Sequence, residues 1–180
     1  MHDGRQQAGK TRRSGCGWLD HVTEDTRPIV VAYDGSKEGR AAVETAAALF
    51  GGRTLLVVSV WESGLALSMA PPDVGFATYG PTLEESEVLD RLQSEHAGQV
   101  AQEGAMLAEQ AGARAEKIPV VDVADVAATI ASVADERDAA AIVVGSRGHK
   151  GLGSRLFGTT SRRLLDDSQR PVMVVRTDEQ

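Results

Sequence analysis

Five short, mainly apolar runs recur along the chain, and segments with helical spacing separate them. The runs occupy residues 29–33, 55–60, 117–121, 140–144 and 171–175. Unbroken apolar runs of this length are typical of parallel strands that are covered on both faces. Because the strands alternate with helices, the chain is predicted to form a single α/β domain with a parallel sheet and helices on both of its faces.

The segment after the first run has a clear helix start. Ser36 is placed to cap a helix that ends near Phe50, and the pair Gly51 and Gly52 would stop it. The residues predicted to face the core are Ala42, Val43, Ala46 and Leu49. Strand, helix and strand within this stretch predict a right-handed βαβ unit.

A second, longer helix is predicted after a loop at residues 62–81 that is rich in glycine and proline. Thr82 and Glu85 have the spacing of a capping box, and Gly112 follows the helix end. Its predicted buried stripe comprises Leu89, Leu92, Val100, Leu107 and Ala111. The preceding loop is interpreted either as a mobile lid or as an ordinary insertion.

The later elements are assigned from single residues. Pro119 removes a backbone donor from the third run, which therefore suits an edge strand. Either Asp122 or Asp125 would cap the helix that follows.

The stretch after the fourth run is rich in glycine and hydroxyl residues. Gly145, Gly148, Gly151, Gly153 and Gly158 are followed at once by Thr159, Thr160 and Ser161, where a helix is predicted to begin. Glycine lets backbone N–H groups approach a ligand, and a helix start favours an anion. These features predict a phosphate site. The alternative is a flexible surface loop in which the glycines only turn the chain.

The charge of this stretch also favours an anion. Its ionisable residues are all basic: Arg147, His149, Lys150, Arg155, Arg162 and Arg163. The whole chain has a net charge of −7, so this local excess of positive charge stands out from the rest of the sequence. Arg147, His149, Lys150 and Arg155 are therefore expected near phosphate.

Two familiar phosphate motifs do not fit. A Walker A loop needs glycine before its lysine, and Lys150 follows His149 instead. A dinucleotide fingerprint that starts at Gly151 would need glycine where Leu156 stands.

Asp34 follows the first run, at the edge of the sheet where ligands bind in open α/β folds. It is interpreted as a hydrogen-bond acceptor for a nucleotide or an indirect ligand of a bound cation. The alternative is an aspartate that only helps to turn the chain.

The spacing Gly145-x2-Gly148-x9-Gly158-Thr159 behind a strand resembles the ATP-binding branch of the universal stress protein family. The resemblance extends over residues 27–176 through IVVAYDGS, LLVVSVW and RPVMVVR. It implies a Rossmann-like sandwich of the adenine nucleotide α hydrolase type, with five parallel strands in the order 3-2-1-4-5. The chain departs from many relatives at residues 120–123, where VVDV stands in place of a glycine, and this bears on the base contacts.

The resemblance also implies ligand contacts. Val60 would offer backbone groups to adenine, while Gly145 and Gly148 would approach the ribose and α-phosphate. The outer phosphates would be held by Gly158, Thr159 and Ser161, with Thr160 beside them. Any Mg²⁺ would be carried by the ATP phosphates, with Asp34 nearby.

Three functions remain open. The first is an ATP-binding stress-response or signalling protein without efficient turnover, for which AMP and cyclic AMP are not distinguished from ATP. The second is a protein-interaction module that binds no nucleotide, and the third is a slow ATPase. Phosphoryl transfer needs a positioned base, and His149 is the obvious candidate.

Composition sets the remaining expectations. Residues 1–26 are polar and are predicted to be a disordered tail, while residues 27–177 form the domain. Cys16 is the single cysteine, which suits the reducing cytoplasm. No apolar run is long enough for a membrane span, and a pI of about 5.1 argues against nucleic-acid binding. A homodimer is expected through the last strand, residues 172–175, as in relatives.

Overall fold

The computed structural model describes residues 25–63, 82–122, 125–147 and 158–177. Residues 1–24 of the predicted tail 1–26 and residues 64–81 of the predicted loop 62–81 lie outside these ranges. The elements within them are β1 Ile29–Ala32, α1 Lys37–Phe50, β2 Thr54–Glu62, α2 Leu83–Gln110, β3 Arg114–Asp122, α3 Val126–Glu136, β4 Ala141–Gly145, α4 Thr159–Asp167 and β5 Val172–Val175.

The strands form a parallel sheet in the order β3-β2-β1-β4-β5, which confirms the order implied by the family resemblance. Val31 in the central strand is opposite Val57 of β2 and Val143 of β4. Pro119 lies in β3 at one edge, as predicted, and β5 forms the other edge.

Two apolar cores cover the two faces of this sheet. Ile29 and Val31 face a core shared with α1 and α2, while Val30 faces a core shared with α3 and α4. All three side chains are fully buried. Burial on both faces explains why the strand sequence is an unbroken apolar run and not an alternating one.

The predicted helix starts are confirmed by their hydrogen bonds. The Ser36 hydroxyl accepts from the Gly39 amide at 3.0 Å, and Thr82 and Glu85 form the reciprocal capping box of α2. Asp125 caps α3 by accepting from two backbone amides. Asp122, the alternative cap, instead accepts from the Thr129 hydroxyl at 3.2 Å.

The predicted buried stripes are partly wrong. Leu49 is 60% exposed and Leu92 is 55% exposed. The buried positions in the second half of α2 are small residues: Ala97, Ala101, Gly104, Ala105 and Ala108. For Leu92 the reason is the length of α2, because 28 helical residues span ~42 Å whereas the nine residues of β2 span ~30 Å. The first half of α2 therefore extends past the carboxyl edge of the sheet.

Candidate functional site

A cavity of about 370 Å³ opens at the carboxyl edge of the sheet, between β1, β2, β4 and the starts of α3 and α4. The predicted site residues that line this cleft are Asp34, Val60, Gly145, Arg147, Gly158, Thr159, Thr160 and Ser161. The structure thus brings together every predicted site residue within the described ranges. Gly148, His149, Lys150 and Arg155 lie outside those ranges.

Asp34 is held by the turn that leads from β1 into α1. Its Oδ1 accepts from the Ser36 amide at 3.0 Å. Between them Gly35 has φ of +80°, in the left-handed region that favours glycine. A Cβ on Gly39 would lie 2.9 Å from the same Oδ1. Gly39, which the sequence reasoning missed, therefore lets the first turn of α1 lie against the carboxylate.

The backbone of Val60 faces the cleft beyond the end of β1. The Val58 carbonyl accepts from the Tyr33 amide at 2.9 Å, so the peptide groups of Val58 face β1. Peptide groups two residues apart along a strand point to the same side. Because β1 ends at Ala32, the amide and carbonyl of Val60 project past its end, where a ligand could bind them.

The start of α4 is fixed to the end of β4. The Gly158 amide donates to the Ser146 carbonyl at 2.6 Å, and the Ser146 amide donates to the Val175 carbonyl at 2.7 Å. The Ser161 side chain is buried, and its hydroxyl lies 3.3 Å from the Ser146 carbonyl and 3.1 Å from the Gly158 carbonyl. That hydroxyl is therefore committed to protein acceptors, which leaves the Ser161 backbone amide for a ligand.

Gly158 is a glycine that the backbone itself does not require. Its φ of −69° and ψ of 167° are open to any residue. Among the described residues, the nearest atom to a Cβ there would be the Ser146 carbonyl oxygen, at 3.4 Å. Gly158 occupies the N-cap of α4 and provides no side-chain cap, although serine, threonine, aspartate and asparagine are preferred at that position. The first turn of α4 consequently presents its amides to the cleft.

Gly145 serves packing. A Cβ on Gly145 would lie 2.8 Å from both the carbonyl carbon and the Cβ of Glu38. Because Gly145 has no side chain, the first turn of α1 can pack directly against the end of β4. There Glu38 Oε1 lies 3.5 Å from a guanidinium nitrogen of Arg147 and accepts from the Thr177 hydroxyl at 3.4 Å. Sequence reasoning did not identify Glu38, because no local pattern connects it to Arg147.

Tyr33 closes the cleft on the α2 side. Its hydroxyl donates to Glu103 Oε1 at 2.8 Å, and Arg40 donates to the same oxygen at 3.0 Å. Burial, reinforced by the hydrogen bond to Glu103, raises the pKa of Tyr33 to about 12. Tyr33 therefore stays neutral and anchored throughout the physiological range.

The described walls of the cleft are chemically polarised. The carboxylates of Asp34 and Glu62 lie on the β1 and β2 side, while Arg147 and the start of α4 lie on the β4 side. Apolar side chains line the space between: Ala32, Val60, Val126, Ile130 and Val144. Among the described residues, no group of three or more histidine, cysteine, aspartate or glutamate side chains is arranged to hold a metal ion.

A model of the universal stress protein family matches residues 25–176. The chain belongs to this family. No curated protein sequence matches the chain. Within the described ranges, no helix has the length and apolar character needed to cross a membrane.

Solved structures of universal stress proteins share the fold. One from Archaeoglobus fulgidus is 25% identical, with a TM-score of 0.56, and the match covers 82% of this chain and 96% of that one. An Archaeoglobus fulgidus universal stress protein in complex with dAMP is 24% identical over 82% of this chain and 95% of that one, with a TM-score of 0.56. A further universal stress protein in complex with cAMP is 23% identical over 84% and 98%, with a TM-score of 0.57.

Proposed function

We propose that the cleft binds ATP and that the protein acts in stress response or signalling without efficient turnover of the nucleotide. Structural neighbours in complex with dAMP and cAMP support an adenine nucleotide as the ligand class. The preference for ATP depends on the phosphate-facing side of the cleft in this chain.

The observation that carries the proposal is the open start of α4 at Gly158. No described residue comes close enough to require a glycine there, and Gly158 gives the helix no side-chain cap. Uncapped amides at a helix start bind phosphate through hydrogen bonds and the positive end of the helix dipole. Glycine at this position keeps the space in front of those amides free for phosphate oxygens.

The remaining parts of a nucleotide match the polarity of the cleft. The apolar side chains suit a base, and the backbone of Val60 suits its polar edge. The Asp34 carboxylate can accept from ribose hydroxyls. A cavity of about 370 Å³ is within the range of roughly 300–1,000 Å³ for small-molecule sites. Mg²⁺ would enter on the phosphates, with Asp34 nearby to bind its water ligands.

Slow turnover of ATP follows from the kind of contact that the cleft offers to the phosphates. Backbone amides and Arg147 would bind the phosphates of the ground state as well as those of the transition state. Uniform binding of this kind raises affinity without raising the rate. Phosphoryl transfer also needs a group that positions the attacking water, a role for which the sequence offers His149.

The test is a Gly158→Asp variant compared with Gly158→Ala. An aspartate at the N-cap would accept from the first amides of α4 in place of phosphate. We expect its melting temperature to equal or exceed that of the wild type. Its ATP affinity should fall at least about tenfold, since charge-assisted hydrogen bonds contribute about 1.5–3 kcal/mol each. Gly158→Ala should fold normally and bind with an intermediate affinity.

Calorimetric titration with Mg-ATP, followed by chromatography of the recovered nucleotide, measures both properties. Unchanged affinity in Gly158→Asp would refute the phosphate assignment. If the wild type binds nothing at millimolar ATP, the protein-interaction module is the better description. Rapid conversion to ADP that disappears in a His149→Ala variant would make the protein an ATPase.

We also propose a cytoplasmic homodimer paired through β5. The strand lies at the edge of the sheet, and an unpaired apolar edge promotes aggregation. Antiparallel pairing with a second copy across a two-fold axis would satisfy its outward-facing peptide groups. The cytoplasmic assignment depends on the single cysteine of the chain.

A further inference from the structure

The arginine that lines the cleft already has an acidic partner. A guanidinium nitrogen of Arg147 lies 3.5 Å from Glu38 Oε1. The two side chains are 29% and 17% exposed, so the pair is partly shielded from solvent. An incoming phosphate would therefore meet a guanidinium that a carboxylate of the same chain already contacts.

The fold holds Glu38 in this place from several sides. It lies in the first turn of α1, where the helix dipole favours a negative charge. The Thr177 hydroxyl donates to it from just beyond β5, at 3.4 Å. Its backbone and Cβ also fit against Gly145, where a side chain would approach to 2.8 Å. These contacts make the position of Glu38 a built feature of the site.

We propose that Glu38 competes with the ligand's phosphate for Arg147, and thereby selects ligands that carry a polyphosphate chain. This inference rests on the proposed function of the cleft. A carboxylate and a phosphate use the same planar donors of a guanidinium. To bind Arg147, a ligand must attract the guanidinium more strongly than the single negative charge of Glu38 does. A polyphosphate carries several negative charges and can do so, whereas a neutral nucleoside cannot.

The opposing view is that Glu38 only orients Arg147 toward the phosphate. The two roles predict opposite signs when the carboxylate is removed. A competitor weakens phosphate binding, so its loss tightens binding. An orienting partner strengthens phosphate binding, so its loss weakens it.

The experiment is a double-mutant cycle of Glu38→Gln and Arg147→Gln, titrated calorimetrically with ATP, adenosine and inorganic tripolyphosphate. We expect Glu38→Gln to tighten ATP and tripolyphosphate roughly two- to fivefold, the size set by a partly exposed ion pair. Adenosine affinity should not change. In the Arg147→Gln background, Glu38→Gln should have no effect on any of the three ligands.

A Glu38→Asp variant separates contact from charge. It keeps the negative charge but shortens the side chain by one methylene, so it should also tighten tripolyphosphate, by less than Glu38→Gln. If Glu38→Gln increased tripolyphosphate affinity equally with Arg147 present and with Arg147→Gln, the effect would come from long-range charge and not from competition for Arg147. That result would overturn the proposal. Weaker ATP binding in Glu38→Gln, or an equal change for adenosine, would overturn it as well.

Tripolyphosphate separates this inference from the proposed function. If tripolyphosphate binds and responds to Glu38→Gln while ATP does not bind, the competition stands and the nucleotide assignment fails. If ATP binds with an affinity that Glu38→Gln leaves unchanged, the nucleotide assignment stands and the competition fails. Absence of binding by either ligand would overturn both.

Discussion

A single methyl group added at Gly104 should destabilise the protein, although alanine is the better helix former. Gly104 lies in α2 where the helix packs against Tyr33 and Val57. A Cβ there would approach 2.7 Å from Tyr33 Cδ1 and 2.7 Å from Val57 Cγ1. Neither atom can retreat easily, because Val57 lies in a buried strand and Tyr33 is anchored through its hydroxyl to Glu103.

The expected change in the free energy of unfolding is the difference between a gain in helix propensity and a cost of overpacking. Alanine in place of glycine favours the helix by about 1 kcal/mol. Overpacking of a filled core costs about 1–3 kcal/mol, and two overlaps with anchored groups place this site in the upper half of that range. The net loss in the free energy of unfolding is therefore about 1–2 kcal/mol. For a domain of this size it corresponds to a fall in melting temperature of roughly 2–8 °C.

Gly98 provides the matched control on the same helix. A Cβ on Gly98 would meet no atom of the described residues within 4 Å. Gly98→Ala should therefore raise the free energy of unfolding by about 1 kcal/mol from helix propensity alone. Urea unfolding followed by circular dichroism measures both variants. If Gly104→Ala proved as stable as Gly98→Ala, the close approach of α2 to Tyr33 would be wrong.

Three further predictions concern pH, the tail and the edge strand. The pKa of Tyr33 is raised to about 12, so the folded state keeps a proton that the unfolded state loses near pH 10, and the free energy of unfolding should fall between those pH values. Urea unfolding at pH 9 and pH 11 should show a smaller fall in Tyr33→Phe than in the wild type. Equal falls in the two proteins would contradict this. A chain beginning at Arg27 should melt within a few degrees of the full chain, because the pairs of Asp25 with Arg27 at 2.9 Å and Arg53 at 3.3 Å are partly exposed to solvent and such pairs contribute little. A large loss would show that residues before 27 stabilise the core. The Val175 carbonyl accepts from the Ser146 amide just after β4, so the Val174 peptide groups face the open edge of the sheet. Val174→Pro should therefore give a folded monomer by light scattering, whereas Met173→Pro should unfold β5. A monomeric wild type would refute the dimer.

Local sequence patterns determined the elements of this protein and the edge of the sheet at which the cleft lies. Unbroken apolar runs such as residues 29–33 predict buried parallel strands, because only strands covered on both faces need an apolar residue at every position. Caps such as Ser36 and Thr82 act on amides within a few residues, so they are readable without the fold. Asp34 and Gly158 could be assigned to one cleft because the carboxyl ends of parallel strands meet at one edge.

Helix burial was decided only by the tertiary structure. Helical spacing predicted Leu49 and Leu92 inside, yet both are largely exposed. In α2, which turns are covered depends on where the sheet ends beneath them, and spacing carries no information about that boundary. In α1, the turn that contains Leu49 also contains the buried Ala46 and Ala47, so Leu49 lies on the outer side of a covered turn. The strand order came from family resemblance, because strand spacing does not specify which strands are neighbours.

The detailed roles of the glycines were also set by packing between distant segments. The family resemblance implies a ligand contact for Gly145, and only the structure shows that a side chain there would also meet Glu38 of α1. Gly158 shows the reverse case, since no described part of the chain comes closer than 3.4 Å to its missing Cβ. The pairing of Glu38 with Arg147 depends on how closely α1 approaches β4, a distance that is fixed only when both have packed on the same sheet.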